Sequence, residues 1–179
     1  MKTICLYFEI HQNIQLKRYR FFDIGTDHYY YDDYEDGRII EDVTERSYMP
    51  ALNAIGEMIK ENGKYFKVAF SLSGVGMEQL EIHALQVIEK LQELNQTGCV
   101  EFLAEPYSHG LASLANEESF TKEVKRQCQK MKEYFGQEPK VLRNSSLIYS
   151  DEIGLQASQM GFKGMLTEGA RHVLGWKSP

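Results

Sequence analysis

The chain has 179 residues, of which 42% are hydrophobic and 26% charged, values close to those of ordinary globular proteins. This composition excludes collagen, coiled-coil and disordered classes, and the length predicts one domain or a large piece of one. A formal net charge of −6 without a Lys/Arg cluster excludes nucleic acid as a partner. No apolar run is long enough for a membrane span or a signal peptide core, which predicts a soluble, cytoplasmic protein without a membrane partner.

Runs rich in β-branched and aromatic residues alternate with helical patterns along the chain. In chain order, the predicted strands are 3–10, 67–72, 99–104, 140–143 and 162–167. Helices are predicted at about 50–61, across 77–94, from the N-cap Asn116 to the terminator Gly136, and after Ser150. Crossovers of this length favour a parallel sheet and the α/β class. Five βα units leave two architectures open, an open doubly wound sheet and the front part of an incomplete barrel.

Residues 18–48 interrupt this alternation with a segment that is rich in acidic residues and tyrosines. We predict a long loop here, and loops of this length are usually functional or mobile. Its tyrosines could act as platforms for sugar rings, or its carboxylates could bind calcium, although the EF-hand spacing is absent. The alternative is a solvated acidic excursion whose tyrosines pack on the sheet edge.

Polar residues follow the predicted strands at their carboxyl ends, where parallel α/β folds collect their binding groups. They predict a cleft for a ligand with many hydroxyl groups. The residues are Glu9, His11, Gln12, Ser73, Glu105, Tyr107, His109, Arg143, Asn144, Ser146, Glu168 and His172. His11 has a second interpretation as a core histidine. Glu101 lies in the middle of a strand, so it either supports the cleft or forms a buried ion pair with Arg143.

Several cofactor and nucleophile motifs are absent. Gly74-Val75-Gly76 lacks the third glycine of a dinucleotide fingerprint, and neither a P-loop nor a G-x-S-x-G sequence occurs. His11 and His109 lack the close spacing of a strong metal motif. Three separated cysteines predict reduced thiols rather than disulfides or a zinc knuckle. We therefore expect no cofactor and no bound metal.

Three motifs resemble those of glycoside hydrolase family 57, and most closely those of its α-amylase branch. They are His11-Gln12, residues 98–105 followed by Tyr107 and His109, and residues 143–149. The likeness covers nearly the whole chain in order. It implies an incomplete parallel (β/α)7 barrel and a retaining α-amylase, branching enzyme or 4-α-glucanotransferase. The implied partner is an α-1,4-glucan or maltooligosaccharide. Polysaccharide deacetylases share the barrel, but their metal motifs are missing here.

The resemblance also assigns roles to individual residues. His11 resembles the first-motif histidine beside the sugar subsite, with Asn13 where a proline is usual, and Glu101 resembles the supporting second-motif glutamate. Ser146 stands where the α-amylase branch has its nucleophilic glutamate. A serine cannot replace one of the two carboxyl groups that a retaining glycosidase needs. We therefore expect a weak or inactive hydrolase, with a non-catalytic carbohydrate-binding or regulatory pseudoenzyme, or a metal-dependent deacetylase, as alternatives.

The acid/base aspartate of the family belongs to a later motif than any in this chain. Five strands would also leave a parallel sheet with an open edge. We therefore expect residues 1–179 to be the N-terminal part of an α-amylase-like barrel domain, with an acidic aromatic insertion at about 18–48. A C-terminal remainder or self-association would complete the barrel.

Overall fold

The computed structural model describes residues 4–26, 28–169 and 175, and its strands and helices alternate along the chain. The strands are β1 (Tyr7–Ile10), β2 (Val68–Leu72), β3 (Val100–Leu103), β4 (Val141–Arg143) and β5 (Gly164–Leu166). The α-helices are α1 (Asp33–Val43), α2 (Met49–Asn62), α3 (Gly74–His83), α4 (Leu85–Gln96), α5 (Ala112–Ala115), α6 (Glu117–Phe135) and α7 (Asp151–Gln159). Each predicted strand is present, which confirms the α/β class.

All strand pairs are parallel and follow the chain order. β2 lies between β1 and β3, β4 pairs with β5, and an isolated parallel bridge between Ala104 and Leu142 joins the two groups. The register places Glu9 beside Ser71 and Ser71 beside Leu103. This order of successive parallel strands is the one that a (β/α) barrel requires.

The chain forms two units. The first spans Met1–Ile10, Lys67–Gly74 and Val100–Pro179, and therefore contains the sheet together with α5, α6 and α7. The second spans His11–Phe66 and Val75–Cys99, and contains α1, α2, α4 and nearly all of α3.

The core of the first unit forms between α6 and the outer face of the sheet. The rings of Phe102 on β3 and Phe135 on α6 stack with centroids 4.1 Å apart. Helix α6 begins where the sequence predicts, because the Asn116 side chain accepts a hydrogen bond from the Ser119 amide at 3.0 Å. It ends at Gly136, whose φ of 68° suits glycine. This helix fixes the turn that follows β3.

In the second unit, the helix predicted across 77–94 is two helices. The chain breaks at Ala84, which has φ −152° and ψ 55° and is 1% exposed. The apolar spacing continues through the break, since buried residues on both helices keep the same intervals. Neither glycine nor proline marks the position, so sequence periodicity could not show it.

The predicted loop at 18–48 is helical over its second half. Asp32 caps α1 by accepting a hydrogen bond from the Glu35 amide, and a π-helical turn at Thr44–Tyr48 leads into α2. The loop prediction was wrong here because acidic residues that suggested a solvated loop occupy the first turn of α1. Carboxylates in that position stabilise a helix through its dipole.

Candidate functional site

Four charged or titratable side chains meet at the carboxyl ends of the strands in the first unit. Glu9 belongs to β1, Glu105 and His109 to the turn after β3, and Arg143 is the last residue of β4. We call these four residues the charge cluster. Glu9 and Arg143 are strand residues that meet on one face of the sheet, and the turn after β3 brings Glu105 and His109 to the same place.

Arg143 is the centre of the charge cluster. Its Nη2 donates a hydrogen bond to Glu9 Oε2 at 2.6 Å, and its Nη1 donates to Glu105 Oε2 at 3.4 Å. Nη1 also lies 3.4 Å from His109 Nδ1, while His109 Nε2 lies 3.4 Å from Glu9 Oε1. Because an arginine nitrogen can only donate, a hydrogen bond at this contact requires His109 Nδ1 to act as the acceptor.

The members of the charge cluster differ in exposure. The Glu105 side chain is fully buried and that of Arg143 is 6% exposed, whereas His109 is 19% and Glu9 32% exposed. Among the described residues, Glu105 Oε1 and Arg143 Nε find no hydrogen-bond partner. The buried charges compensate each other, and Glu9 is the carboxylate that an external ligand can reach.

Helix α6 holds the turn that carries two of these side chains. Gln127 is fully buried, accepts a hydrogen bond from the Glu105 amide at 3.3 Å, and donates one to the Leu72 carbonyl at 2.9 Å. Glu123 accepts a hydrogen bond from the Ser108 amide at 2.7 Å. His109 adopts a left-handed φ of 53°, so the turn around it is fixed at some conformational cost.

A neutral hydroxyl pair lies on the same face of the sheet. The Tyr7 and Ser71 hydroxyl oxygens are 2.7 Å apart. Burial raises the pKa of the Tyr7 phenol above its ordinary range, so this residue remains neutral near pH 7. It adds hydrogen-bonding capacity to the sheet face without adding charge.

Tyr107 packs inside the protein. It is 2% exposed, its ring lies against Gly74, and the Arg126 guanidinium stacks 3.6 Å from the ring centroid. A Cβ at Gly74 would meet the Tyr107 ring at 2.1 Å, so only glycine fits there. The ring is therefore buried in contact with Gly74 and Arg126, and the expectation that Tyr107 contacts a sugar stays a prediction.

The structure corrects the expectation for Glu101. This residue is exposed at the amino end of β3, where it lines a shallow cavity with Lys132, Gln137 and Lys140. It does not pair with Arg143, whose carboxylate partners are Glu9 and Glu105. The alternative of a buried Glu101–Arg143 ion pair was wrong, because Glu101 is exposed near the amino end of β3 whereas Arg143 lies at the carboxyl end of β4. The supporting role of Glu101 stays a prediction.

Asn144 and Ser146 form the turn after β4. Asn144 is fully buried, accepts from the Ser145 amide, and donates to Ser113 Oγ and the Ile148 carbonyl, each at 2.9 Å. Ser146 is exposed and has φ 53° and ψ 21°. Asn144 therefore positions the turn, and Ser146 is an exposed residue within it.

His11 and Gln12 belong to the second unit. There His11 Nε2 lies 2.9 Å from Asn13 Oδ1, and Gln12 Nε2 donates to the Tyr48 hydroxyl at 3.2 Å. Their predicted role beside a sugar stays a prediction. His172 lies outside the described residues.

Sequence reasoning placed Glu9 at the end of the first strand, on the same face as His11, but assigned it no binding or catalytic role. The available signal was a charged residue inside the strand-like run 3–10, because a charge within such a run usually has a partner or a function.

In the described part of the chain, no helix is long and apolar enough to cross a bilayer.

Comparisons with known proteins agree with this fold. The model of Glycosyl hydrolase family 57 matches residues 5–179. A Methanocaldococcus jannaschii protein named "Putative alpha-amylase" is 38% identical over 142 residues, which are 79% of this chain and 30% of that protein. The chain therefore spans less than a third of this relative.

Two solved structures show the same fold. The 4-α-glucanotransferase of Thermococcus litoralis matches 97% of this chain and 24% of its own, with a TM-score of 0.71 and 15% identity. The α-amylase AmyC of Thermotoga maritima matches 92% of this chain and 39% of its own, with a TM-score of 0.63 and 12% identity.

Proposed function

Because the chain belongs to glycosyl hydrolase family 57, we propose that it binds an α-1,4-glucan at its strand ends and that its glycosidic catalysis is degenerate. The observation that carries the proposal is Ser146, which is exposed directly after β4. The resemblance aligns this position with the nucleophilic glutamate of the α-amylase branch. A cytoplasmic location and a regulatory role in carbohydrate metabolism are compatible parts of this proposal.

The charge cluster suits a polyol. Glu9 offers partly exposed carboxylate oxygens that accept hydrogen bonds from sugar hydroxyls, and His109 is the next most exposed member. Pockets for small polar ligands combine a few such fixed polar groups with packed surroundings. The hydrogen bond from Arg143 restricts the Glu9 carboxylate to one orientation, in which it can bind a ligand.

Retaining hydrolysis needs two reactive carboxyl groups about 5–5.5 Å apart. Glu105 has no exposed surface, so it cannot reach an anomeric carbon. Glu9 is hydrogen-bonded to Arg143 at 2.6 Å, and a serine hydroxyl such as that of Ser146 is a weak nucleophile unless a base activates it. These features favour binding with little turnover.

Restoring a carboxylate at position 146 tests the catalytic half of the proposal. In the full-length protein, we expect Ser146→Glu to raise reducing-end release from maltooligosaccharides by about 100-fold or more over the wild type. The matched variant Ser146→Gln has the same shape without the charge and should stay at the wild-type rate. Ordinary amylase turnover by the wild type, or equal rates of the two variants, would contradict degenerate catalysis at Ser146.

Isothermal titration of maltooligosaccharides tests the binding half. The wild type should bind with a dissociation constant between about 1 μM and 1 mM, and Glu9→Ala should weaken binding about tenfold, because a charge-assisted hydrogen bond is lost. Glu133→Ala, which removes an exposed carboxylate from α6, is the charge-matched control and should bind like the wild type. An absence of binding heat in all three proteins counts against a glucan site.

A further inference from the structure

Three members of the charge cluster converge as metal ligands do. Glu9, Glu105 and His109 each present one ligand atom, and these atoms lie within 4.8 Å of one another. Two carboxylate oxygens and one imidazole nitrogen form a set that Zn²⁺, Co²⁺ and Mn²⁺ accept. Bonds of about 2.0–2.2 Å would require the atoms to draw together by about 1 Å, which side-chain rotation can supply.

The guanidinium of Arg143 lies among these three ligands. It touches Glu9 and Glu105 by hydrogen bonds and approaches His109 Nδ1 at 3.4 Å. A cation in the same place would meet the same atoms. Arg143 brings one positive charge to two carboxylates, whereas a divalent ion would balance both.

One buried carboxylate oxygen in the charge cluster could accept a further bond. Glu105 is fully buried, yet its Oε1 has no hydrogen-bond partner among the described residues. A buried carboxylate oxygen without a partner is costly, and a metal ion is a group that could satisfy it. This observation is independent of the spacing of the three ligands.

Contacts other than those of Arg143 hold the three ligand residues in position. Glu9 is part of β1, whose pairing with β2 runs over four residues, and Gln127 holds the backbone at Glu105. The His109 amide donates to the Pro106 carbonyl at 3.0 Å. The ligands would therefore remain near their positions when the guanidinium is removed.

We propose that Glu9, Glu105 and His109 form a divalent-cation site that the guanidinium of Arg143 occupies and closes in the native protein. The positively charged guanidinium takes the place that a metal ion would occupy. The site is closed to metal as long as Arg143 is present, so metal-dependent deacetylation is not available to the native chain through these ligands. This inference does not depend on glucan binding.

Removing the guanidinium opens the site. The variants Arg143→Ala and Arg143→Gln are refolded with and without ZnCl₂, and binding is followed by calorimetry and thermal unfolding. The visible absorption of added CoCl₂ gives a spectroscopic signature of nitrogen and oxygen ligands. Arg38→Ala, which removes an exposed arginine paired with Glu35, is the matched control. Each Arg143 variant is also combined with Glu9→Gln or His109→Ala.

We expect the Arg143 variants to bind one Zn²⁺ per chain at least 100-fold more tightly than the wild type or Arg38→Ala. The second substitution at Glu9 or His109 should weaken this binding at least tenfold. A variant that folds only with metal also supports the proposal, because ligand binding and folding are linked. Wild-type binding as tight as that of the variants would overturn it. Arg143 variants that fold but bind no metal would also overturn the proposal, as would variants that stay unfolded when metal is present.

Discussion

The buried guanidinium of Arg143 links side chains from the first strand, the turn after the third strand and the end of the fourth. Its contacts reach Glu9, which lies 134 residues earlier in the chain. A buried charge of this kind is costly unless its partners are in place, so the position ties the strand ends to one arrangement.

Gly74 and Tyr107 provide a second test at the scale of single residues. We expect Gly74→Ala to lower the free energy of unfolding by about 1–3 kcal/mol or more, because its Cβ would overlap the Tyr107 ring. The Arg126 guanidinium stacks on the Tyr107 ring, which limits how far the ring can move away from position 74. Urea denaturation monitored by circular dichroism measures the difference.

Gly110→Ala is the matched control for Gly74→Ala. A Cβ at Gly110 meets no atom within 4 Å, so this substitution should change stability by less than about 0.5 kcal/mol. Equal urea midpoints for the two alanine variants would show that the Tyr107 ring moves aside without cost.

At the scale of elements, β3 is paired with β4 only near its end, through the Ala104–Leu142 bridge. Along the preceding residues, the Gln137 side chain substitutes for a neighbouring strand. Its Oε1 accepts a hydrogen bond from the Phe102 amide at 3.2 Å, and its Nε2 donates to the Val100 carbonyl at 2.9 Å. A side-chain amide has the same donor and acceptor groups as a peptide unit, which explains why it fits.

Gln137→Ala should therefore lower the free energy of unfolding by about 1–3 kcal/mol, since two strand groups lose their partners. The control is Gln129→Ala, which removes an exposed hydrogen bond to Glu133 on α6 and should cost less than about 0.5 kcal/mol. Thermal unfolding of both variants measures the contrast. A smaller loss for Gln137→Ala than for Gln129→Ala would contradict the strand-substitute role.

Local sequence signals predicted the elements whose ends are marked by particular residues. Asn116, Gly136 and Ser150 mark helix ends in the sequence, and the structure confirms them. The break at Ala84 carries no such mark, since the residue there is a buried alanine that also fits the apolar spacing of a continuous helix. The helix α1 was missed for a related reason, because acidic residues suit both a solvated loop and a first helical turn.

For the whole molecule, the alternation of strands and helices was sufficient to predict a parallel α/β fold. The site was predictable only in part. Arg143, Glu105 and His109 were selected because they follow strands, but the only partner considered for Arg143 was Glu101, whereas the structure pairs it with Glu9 and Glu105. Which carboxylate reaches an arginine depends on strand register and on the position along the strand. A single sequence does not specify either of these.

The first unit draws its three adjacent strands β1, β2 and β3 from separate stretches of chain, and the two intervening stretches form the second unit. At synthesis rates of about 5–20 residues per second, β1 leaves the ribosome roughly 3–12 s before β2. During that interval α1 and α2 emerge and can fold locally, whereas β1 has no neighbouring strand. Pairing of β1 with β2 therefore cannot begin until residues 68–72 have been synthesised, and we expect it to follow local helix formation because it joins distant parts of the chain.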